Sequence, residues 1–283
     1  MRSRISVFAF ASKIGRDFSP GIASTNAHGA LAPEVTELTR TSLATSAALS
    51  FALGAASFVS AQPPAQTAAP TQQTWRFDNL ASLGGHPTKI LGTPQLIDTP
   101  AGKAVAFNGT DSALFVNEHP LAGAATWTWE MVFRPDPDGK PEQRVFHLQS
   151  VDPATGQDYP NERMLFEIRI RPAADGKGNA WCLDSFATAN GQSRTLLNCE
   201  KLHPFGPWYR VTAVYDGKML RNYVDAELQG EGPLSIPPER PGRASAGTRI
   251  NLVDYYKGAI YSARFTPRAL TPDEFLKNPL AGK

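Results

Sequence analysis

The sequence predicts an all-β chain of two packed antiparallel sheets, and three observations carry that prediction. From residue 74 to the C-terminus, short segments alternate apolar and polar residues with a period of two, separated by Gly, Pro, Asn and Asp turn signals. No long segment carries helical periodicity. About twelve strands result, and so many short strands in one chain pack as two sheets, because a single open sheet of that width leaves a face uncovered.

The predicted strands are 75–78, 102–107, 113–116, 126–134, 143–149, 164–171, 180–188, 193–198, 208–215, 220–224, 249–252 and 258–266. The run from Met164 to Arg171 shows the alternation most clearly. Phe166, Ile168 and Ile170 share one face and Glu167, Arg169 and Arg171 the other, so one face is core and one is wet. Asn190-Gly191 is a strong two-residue hairpin signal, since a type I′ turn needs positive φ at both central positions. With that turn, the numbers of opposed residues total 381, which places Cys182 opposite Cys199. Counted from the turn they occupy a non-hydrogen-bonded position, where opposed Cα atoms approach to about 4.5 Å and a disulfide can bridge. A second hairpin, turning at Asp216-Gly217 with a total of 433, places Tyr209, Val211, Ala213, Leu220 and Val224 on one face. Arg210, Thr212, Arg221 and Tyr223 fall on the other. The only predicted helix is a short C-terminal one, where Thr271-Pro272-Asp273-Glu274 supplies a cap, a first-turn proline and a capping-box Glu.

The first sixty or so residues read as an address and not as fold. Leu43 to Val59 is a small, apolar, uncharged run preceded by Arg40 and followed by Ser60-Ala61, the pattern of a cleavable secretory signal cut after Ala61. Residues 1–61 are therefore expected to be a leader, with translation starting nearer Leu31 or Val35 than Met1. Residues 62–73 are expected to be a disordered Pro, Ala, Gln and Thr linker, and 74–283 the folded domain. The predicted setting is periplasmic or extracellular, where a cysteine pair is oxidised. Removing residues 1–61 from 28 Lys and Arg and 26 Asp and Glu leaves 23 of each, and so neutral a domain gives no reason to expect nucleic acid as a partner.

The order of motifs resembles the laminin-G-like, concanavalin A-like jelly roll. Trp75-Arg-Phe77, Gly102-Lys-Ala-Val-Ala-Phe-Asn-Gly109, Trp127 to Pro135, Trp208 to Gly217, Leu220 to Asp225, and Tyr256 to Tyr261 followed by Arg268 to Glu274 carry the resemblance over about residues 73–277. Ala226 departs from it, standing where the family usually has Gly, and a residue with a Cβ is expected to force another turn type there. The resemblance implies a two-sheet antiparallel jelly-roll sandwich. It implies no single activity, because such folds host lectins, adhesive modules and enzymes alike.

Neither enzymatic relative is matched in full. The jelly-roll glucanases need two Glu and an Asp alternating along one strand, and no segment supplies them. The alginate-lyase type needs an Arg together with a Tyr or His. Glu167-Ile-Arg169 and Tyr255 to Tyr261 resemble its outer motifs, but Leu165 replaces the first Arg and the central Gln-x-His is missing. His147, in an apparent strand with Gln149 on its face, is the candidate base. Ca²⁺ is the candidate cofactor, through Asp111, Asp136, Asp138 and Asp152. The expected function is a non-catalytic recognition or adhesion module binding carbohydrate, with lyase or hydrolase activity and a structural surface role as alternatives. The candidate ligand residues are Arg169, Arg171, Arg210, Arg221, Tyr223 and Glu167, because guanidinium forks suit acidic glycans and Tyr223 offers a stacking ring. Trp75, Trp127, Trp129 and Trp208 read as core, because they sit in strands among apolar neighbours.

Overall fold

The computed structural model describes residues 69–283, so the expected leader and most of the expected linker lie outside the described residues. In chain order the strands are β1 (Gln73–Arg76), β2 (Ser82–Leu83), β3 (His86–Leu91), β4 (Gln95–Thr99), β5 (Gly102–Asn108), β6 (Ala113–Val116), β7 (Trp127–Pro135), β8 (Glu142–Val151) and β9 (Asp158–Pro172). There follow β10 (Asn179–Ala189), β11 (Gln192–Leu197), β12 (His203–Pro204), β13 (Tyr209–Tyr215), β14 (Met219–Val224), β15 (Glu227–Pro233), β16 (Gly242–Ala246) and β17 (Lys257–Thr266). A 3-10 turn at Pro272–Glu274 is all that forms of the expected helix, and its capping box is present as read. One sheet has the order β15-β14-β13-β7-β17-β5-β4, with β1 also on β17. The other runs β11-β10-β9-β8-β16-β6-β3-β2, with β12 on β10. Strands next to each other in sequence, such as β6 and β7, lie in different sheets, which is the two-sheet sandwich the alternation predicted and the jelly roll the resemblance implied.

The core lies between the sheets and is aromatic. Trp129 of β7 packs against Phe146 of β8 at 5.3 Å and Phe166 of β9 at 4.3 Å between ring centroids, which joins one sheet to the other. Phe166 and Ile168 point inward as alternation requires, and Trp75, Trp127, Trp129 and Trp181 are all fully buried.

Four details depart from the sequence reading. Segment 249–252 is a loop, because Leu252 adopts φ 62° and cannot continue a strand. The central position between β8 and β6 is taken instead by β16, whose Gly242 allows the backbone to approach the Gln149 carbonyl where a Cβ would collide at 1.9 Å. Its Arg-Ala-Ser-Ala sequence has no large apolar residue to announce it. The Asp216-Gly217 hairpin pairs Tyr215 with Leu220 and Val211 with Val224, a register two residues from the expected one. The Asp216 side chain accepts from the backbone N–H groups of Lys218 and Met219 and so widens the loop. A shift of two returns every side chain to its expected face. Finally, Asp225 and Ala226 have φ 47° and 75°, so the turn keeps the positive φ values a Gly would supply and Ala226 does not change its type. Asp225 holds it there, its backbone N–H donating to the Arg210 carbonyl and its carboxylate accepting from the Arg210 N–H, both at 2.8 Å.

The Asn190-Gly191 hairpin has the expected register, from Ala189 opposite Gln192 to Asp184 opposite Leu197. Cys182 and Cys199 lie just beyond the last pair and are disulfide-bonded, with Cα atoms 5.1 Å apart. The closed loop suggests about 3 kcal/mol of stabilisation. Urea denaturation of the Cys182→Ser/Cys199→Ser variant is expected to show that loss, and a change under about 1 kcal/mol would mean that the hairpin needs no staple.

Candidate functional site

The sandwich has two outer faces, and the chain itself covers one. On the eight-stranded sheet, Val132, Trp208, Ala259 and Tyr261 form a buried cluster with Leu276 and Leu280 of the C-terminal tail. Val214 and Tyr223 form another with Leu270 and Phe275. Tyr223 meets Phe275 at 5.2 Å between ring centroids, and the Arg210 guanidinium lies over the same ring at 5.5 Å while donating to the Leu276 carbonyl. Arg221 pairs with Asp216 at 2.7 Å and Glu231 at 2.9 Å. Three of the six candidate ligand residues thus belong to the tail-covered sheet. The structure does not bring them together with the other three.

Glu167, Arg169 and Arg171 lie on β9 of the nine-stranded sheet, whose outer face carries a continuous row across the strands. In register these are Lys89, Phe115, Ser245, His147, Leu165, Phe186 and Thr195. The loop between β16 and β17 bears on this row: the Ile250 N–H donates to Nδ1 of His147 at 3.0 Å. Ile250 and Leu252 line a cavity of about 630 Å³ over β3, β6 and β16, together with Lys89, Phe115 and Arg243. Arg249 lines a second, of about 210 Å³, with Arg144, Arg163, Leu165, Glu167, Arg169, Asp184, Phe186 and Thr195. Two loop residues, Leu252 and Asp254, hold left-handed φ values, and Leu252 is half-exposed beside the larger cavity. Strain retained in a loop at the mouth of cavities is a mark of functional sites.

The second cavity is built on charge. Glu167 and Asp184 stand opposite each other on β9 and β10, both buried. The Arg169 Nε donates to Asp184 at 2.8 Å, and its other nitrogens reach Glu167 at 3.5 Å and Glu142. Arg144 meets Glu167 at 2.8 Å and Asp254 at 3.4 Å. Burial, and then the neighbouring Asp184 carboxylate, push the Glu167 carboxyl up to about 8, against the pull of Arg144 and Arg169. The wet face read from the sequence is therefore, at its centre, a packed ion network. Arg171 stands apart from it, donating to the Ile170 carbonyl.

His147 is buried, and because Nδ1 accepts from Ile250 its proton sits on Nε2, which has no partner among the described residues. Burial holds it well below the usual histidine range, reinforced by Arg249, Arg163, His119 and Arg243 in that order, all of them basic groups. As a base at neutral pH it would carry no charge. The aspartates suggested for Ca²⁺ are otherwise engaged: Asp138 with Lys257, Asp136 beside Arg134, Asp111 with Asn108, and Asp152 with Ala154 and Thr155 in its own turn. Among the described residues no three His, Cys, Asp or Glu side chains converge as a metal site. Tyr261 lies under the tail, its hydroxyl donating to the Ala101 carbonyl at 2.8 Å, so the two motifs that resemble a lyase place Arg169 and Tyr261 on different sheets.

Sequence reasoning missed Arg144, Arg163, Asp184, Phe186 and Arg249. Arg163 was legible, being one alternation before Leu165, but the predicted strand began at Met164 and β9 begins at Asp158. Asp184 and Phe186 follow from the alternation of β10. Arg249 was hidden by assigning its segment to a strand.

The model of the concanavalin A-like lectin/glucanases superfamily (Laminin_G_3) matches residues 108–275, more than half of the chain. No curated protein matches the sequence. Among solved structures, domain 4 of AbnA, an extracellular arabinanase from Geobacillus stearothermophilus in complex with arabinotriose, is similar at TM-score 0.50 and 17% identity. The alignment covers 71% of this chain and 94% of that one. The binding domain of botulinum neurotoxin DC in complex with SialylT is similar at TM-score 0.51 and 11% identity, over 71% of this chain and 48% of that one. At such identities the likeness is one of fold.

Proposed function

The chain belongs to the concanavalin A-like lectin/glucanases superfamily, and from that premise we propose that it is a carbohydrate-binding module whose ligand lies on the outer face of the nine-stranded sheet. The observation that carries this is the asymmetry of the sandwich. One outer face is occupied by the chain's own tail, and the other holds two adjoining cavities under a strained loop. Half-buried Phe115 and Phe186 offer rings for a sugar to stack on, with Lys89, Arg243 and Thr195 beside them as donors. The arabinotriose complex of a similar fold supports the reading as an analogy. An extracytoplasmic setting, periplasmic or extracellular, is part of the proposal. It is supported by the disulfide, which persists in oxidising compartments, and by the apolar run expected to be a secretory signal. Among the described residues no helix is long and apolar enough to cross a membrane.

A glycan array probed with the purified protein, followed by calorimetry on its best ligand, tests this reading. Phe186→Ala is expected to weaken binding about tenfold, and Arg221→Ala, on the tail-covered sheet, to leave it unchanged. The reverse pattern would move the site to the other face. Silence across the array would overturn the glycan reading.

A further inference from the structure

We propose that the smaller cavity, over β8 to β11, is an anion subsite in which the guanidinium groups of Arg163 and Arg249 grip a carboxylate or sulfate of an acidic saccharide, its ring lying over Phe186 and Leu165. The inference rests on the carbohydrate reading and names the class of ligand within it. Of the four arginines lining this cavity, two are paired with other carboxylates, Arg144 with Asp254 and Arg169 with Asp184 and Glu142, and both also reach the Glu167 carboxyl. Among the described residues Arg163 and Arg249 have no carboxylate of their own within ion-pair distance, whereas Arg144 and Arg169 do. Arg163 donates one hydrogen bond, to the Pro160 carbonyl, and lies over the Phe186 ring at 5.1 Å. Burial and then the charge of Arg249 act against its ionisation, and only Glu167, already held by two other arginines, favours it. Two like charges held together in a partly desolvated wall repel each other until an anion enters between them.

His147, in the same row of the outer face, is buried and lines neither cavity, so the subsite is built from Arg163 and Arg249. Three hydrogen bonds brace the loop that presents Arg249. Ser245 donates to the Thr248 carbonyl at 2.7 Å, Thr248 to the Val253 carbonyl at 3.0 Å, and the Arg144 N–H to the Asp254 carbonyl at 2.8 Å. At about 210 Å³ the cavity is smaller than the usual small-molecule site of roughly 300 Å³ and upward, so it suits one unit of a longer chain.

Calorimetry on the full folded domain would use three probes: an oligogalacturonate, its fully methyl-esterified neutral counterpart, and a sulfated oligosaccharide of the same length. The expected result is that one or both acidic probes bind and the neutral ester binds at least tenfold more weakly. Arg163→Gln and Arg249→Gln are each expected to reduce acidic binding about tenfold and to leave the neutral ester as it was. Which acidic probe binds tells carboxylate from sulfate. Arg249, on a loop, can be changed without touching the sheet, so a folding failure of Arg163→Gln leaves the test intact. Equal binding of acidic and neutral probes, or acidic binding unaffected by Arg249→Gln, would overturn the anion subsite while leaving the carbohydrate reading standing. No binding by any probe, on a protein silent on the array as well, would overturn both.

Discussion

Arg169→Ala is expected to destabilise the fold by about 3–5 kcal/mol, the largest single-residue effect among the candidate ligand positions. The side chain sits between three carboxyl groups: it meets Asp184 at 2.7–2.8 Å, Glu167 at 3.5 Å, and Glu142 at the rim. Asp184 and Glu167 are almost wholly shielded from water, with side-chain exposures of 2% and 8%. Truncating the arginine leaves Asp184 without its cation and Glu167 with Arg144 alone. Removing both partners with apolar replacements, as in Arg169→Met/Asp184→Leu, is expected to cost less than Arg169→Ala by itself, because the uncompensated charge goes too. Denaturant unfolding measures both, and a loss below about 1 kcal/mol in Arg169→Ala would show that water reaches the network. One consequence concerns function. Loss of binding in Arg169→Ala cannot mark it as a ligand contact, whereas Arg163 and Arg249 are not committed in this way.

Stability is expected to be nearly level between about pH 4.5 and 6.5 and to fall by roughly 3 kcal/mol between pH 6.5 and 8. Two buried acids cause the fall. Glu167 and Glu239 are both raised to about 8, Glu239 by burial against the single hydrogen bond from Trp127. Unfolded, each ionises near 4.5, so above that pH the native state holds more protons than the unfolded state and stability declines until the folded groups titrate. Two buried histidines oppose this at lower pH. His119 is lowered to about 4 by burial and His147 well below 6.5, so the unfolded state takes up their protons first and stability is lost as pH falls below 6.5. Between 4.5 and 6.5 the acid and histidine slopes offset each other, and above 6.5 only the acids act. Thermal unfolding across this range should show the level stretch and the alkaline fall. The Glu167→Gln/Glu239→Gln variant should lose the fall, and an unchanged profile in that variant would assign it to other groups.

How much was legible divides by the range of the interaction. The Asn190-Gly191 turn determines the pairing of its two strands and hence places Cys182 opposite Cys199, since a tight turn and a period of two leave no freedom of register. Alternation within β9 correctly separated Phe166 and Ile168 from Glu167 and Arg169. Even the wrong register at Asp216 preserved its faces, because the error was of two residues. The strands that went unread were peripheral ones such as β3, next to the two-residue edge strand β2, and the edge strand β4, partly exposed and weakly patterned, and β16, whose small residues fit only because neighbours on both sides supply the bulk.

The candidate site was harder to read, since it is a property of contacts between distant segments. By itself the sequence determined that this chain is an antiparallel sandwich, which residues of each hairpin point inward, and that one hairpin is cross-linked, all consequences of local periodicity and turn geometry. Only the tertiary structure decided which outer face stays open. That depended on residues 267–283 folding back over Trp208, Tyr223 and Tyr261, which takes Arg210 and Tyr223 out of the candidate surface. It also decided which arginines are spent and which are not, because a strand places a guanidinium on a face, but the strand beside it decides whether a carboxylate is there to meet it.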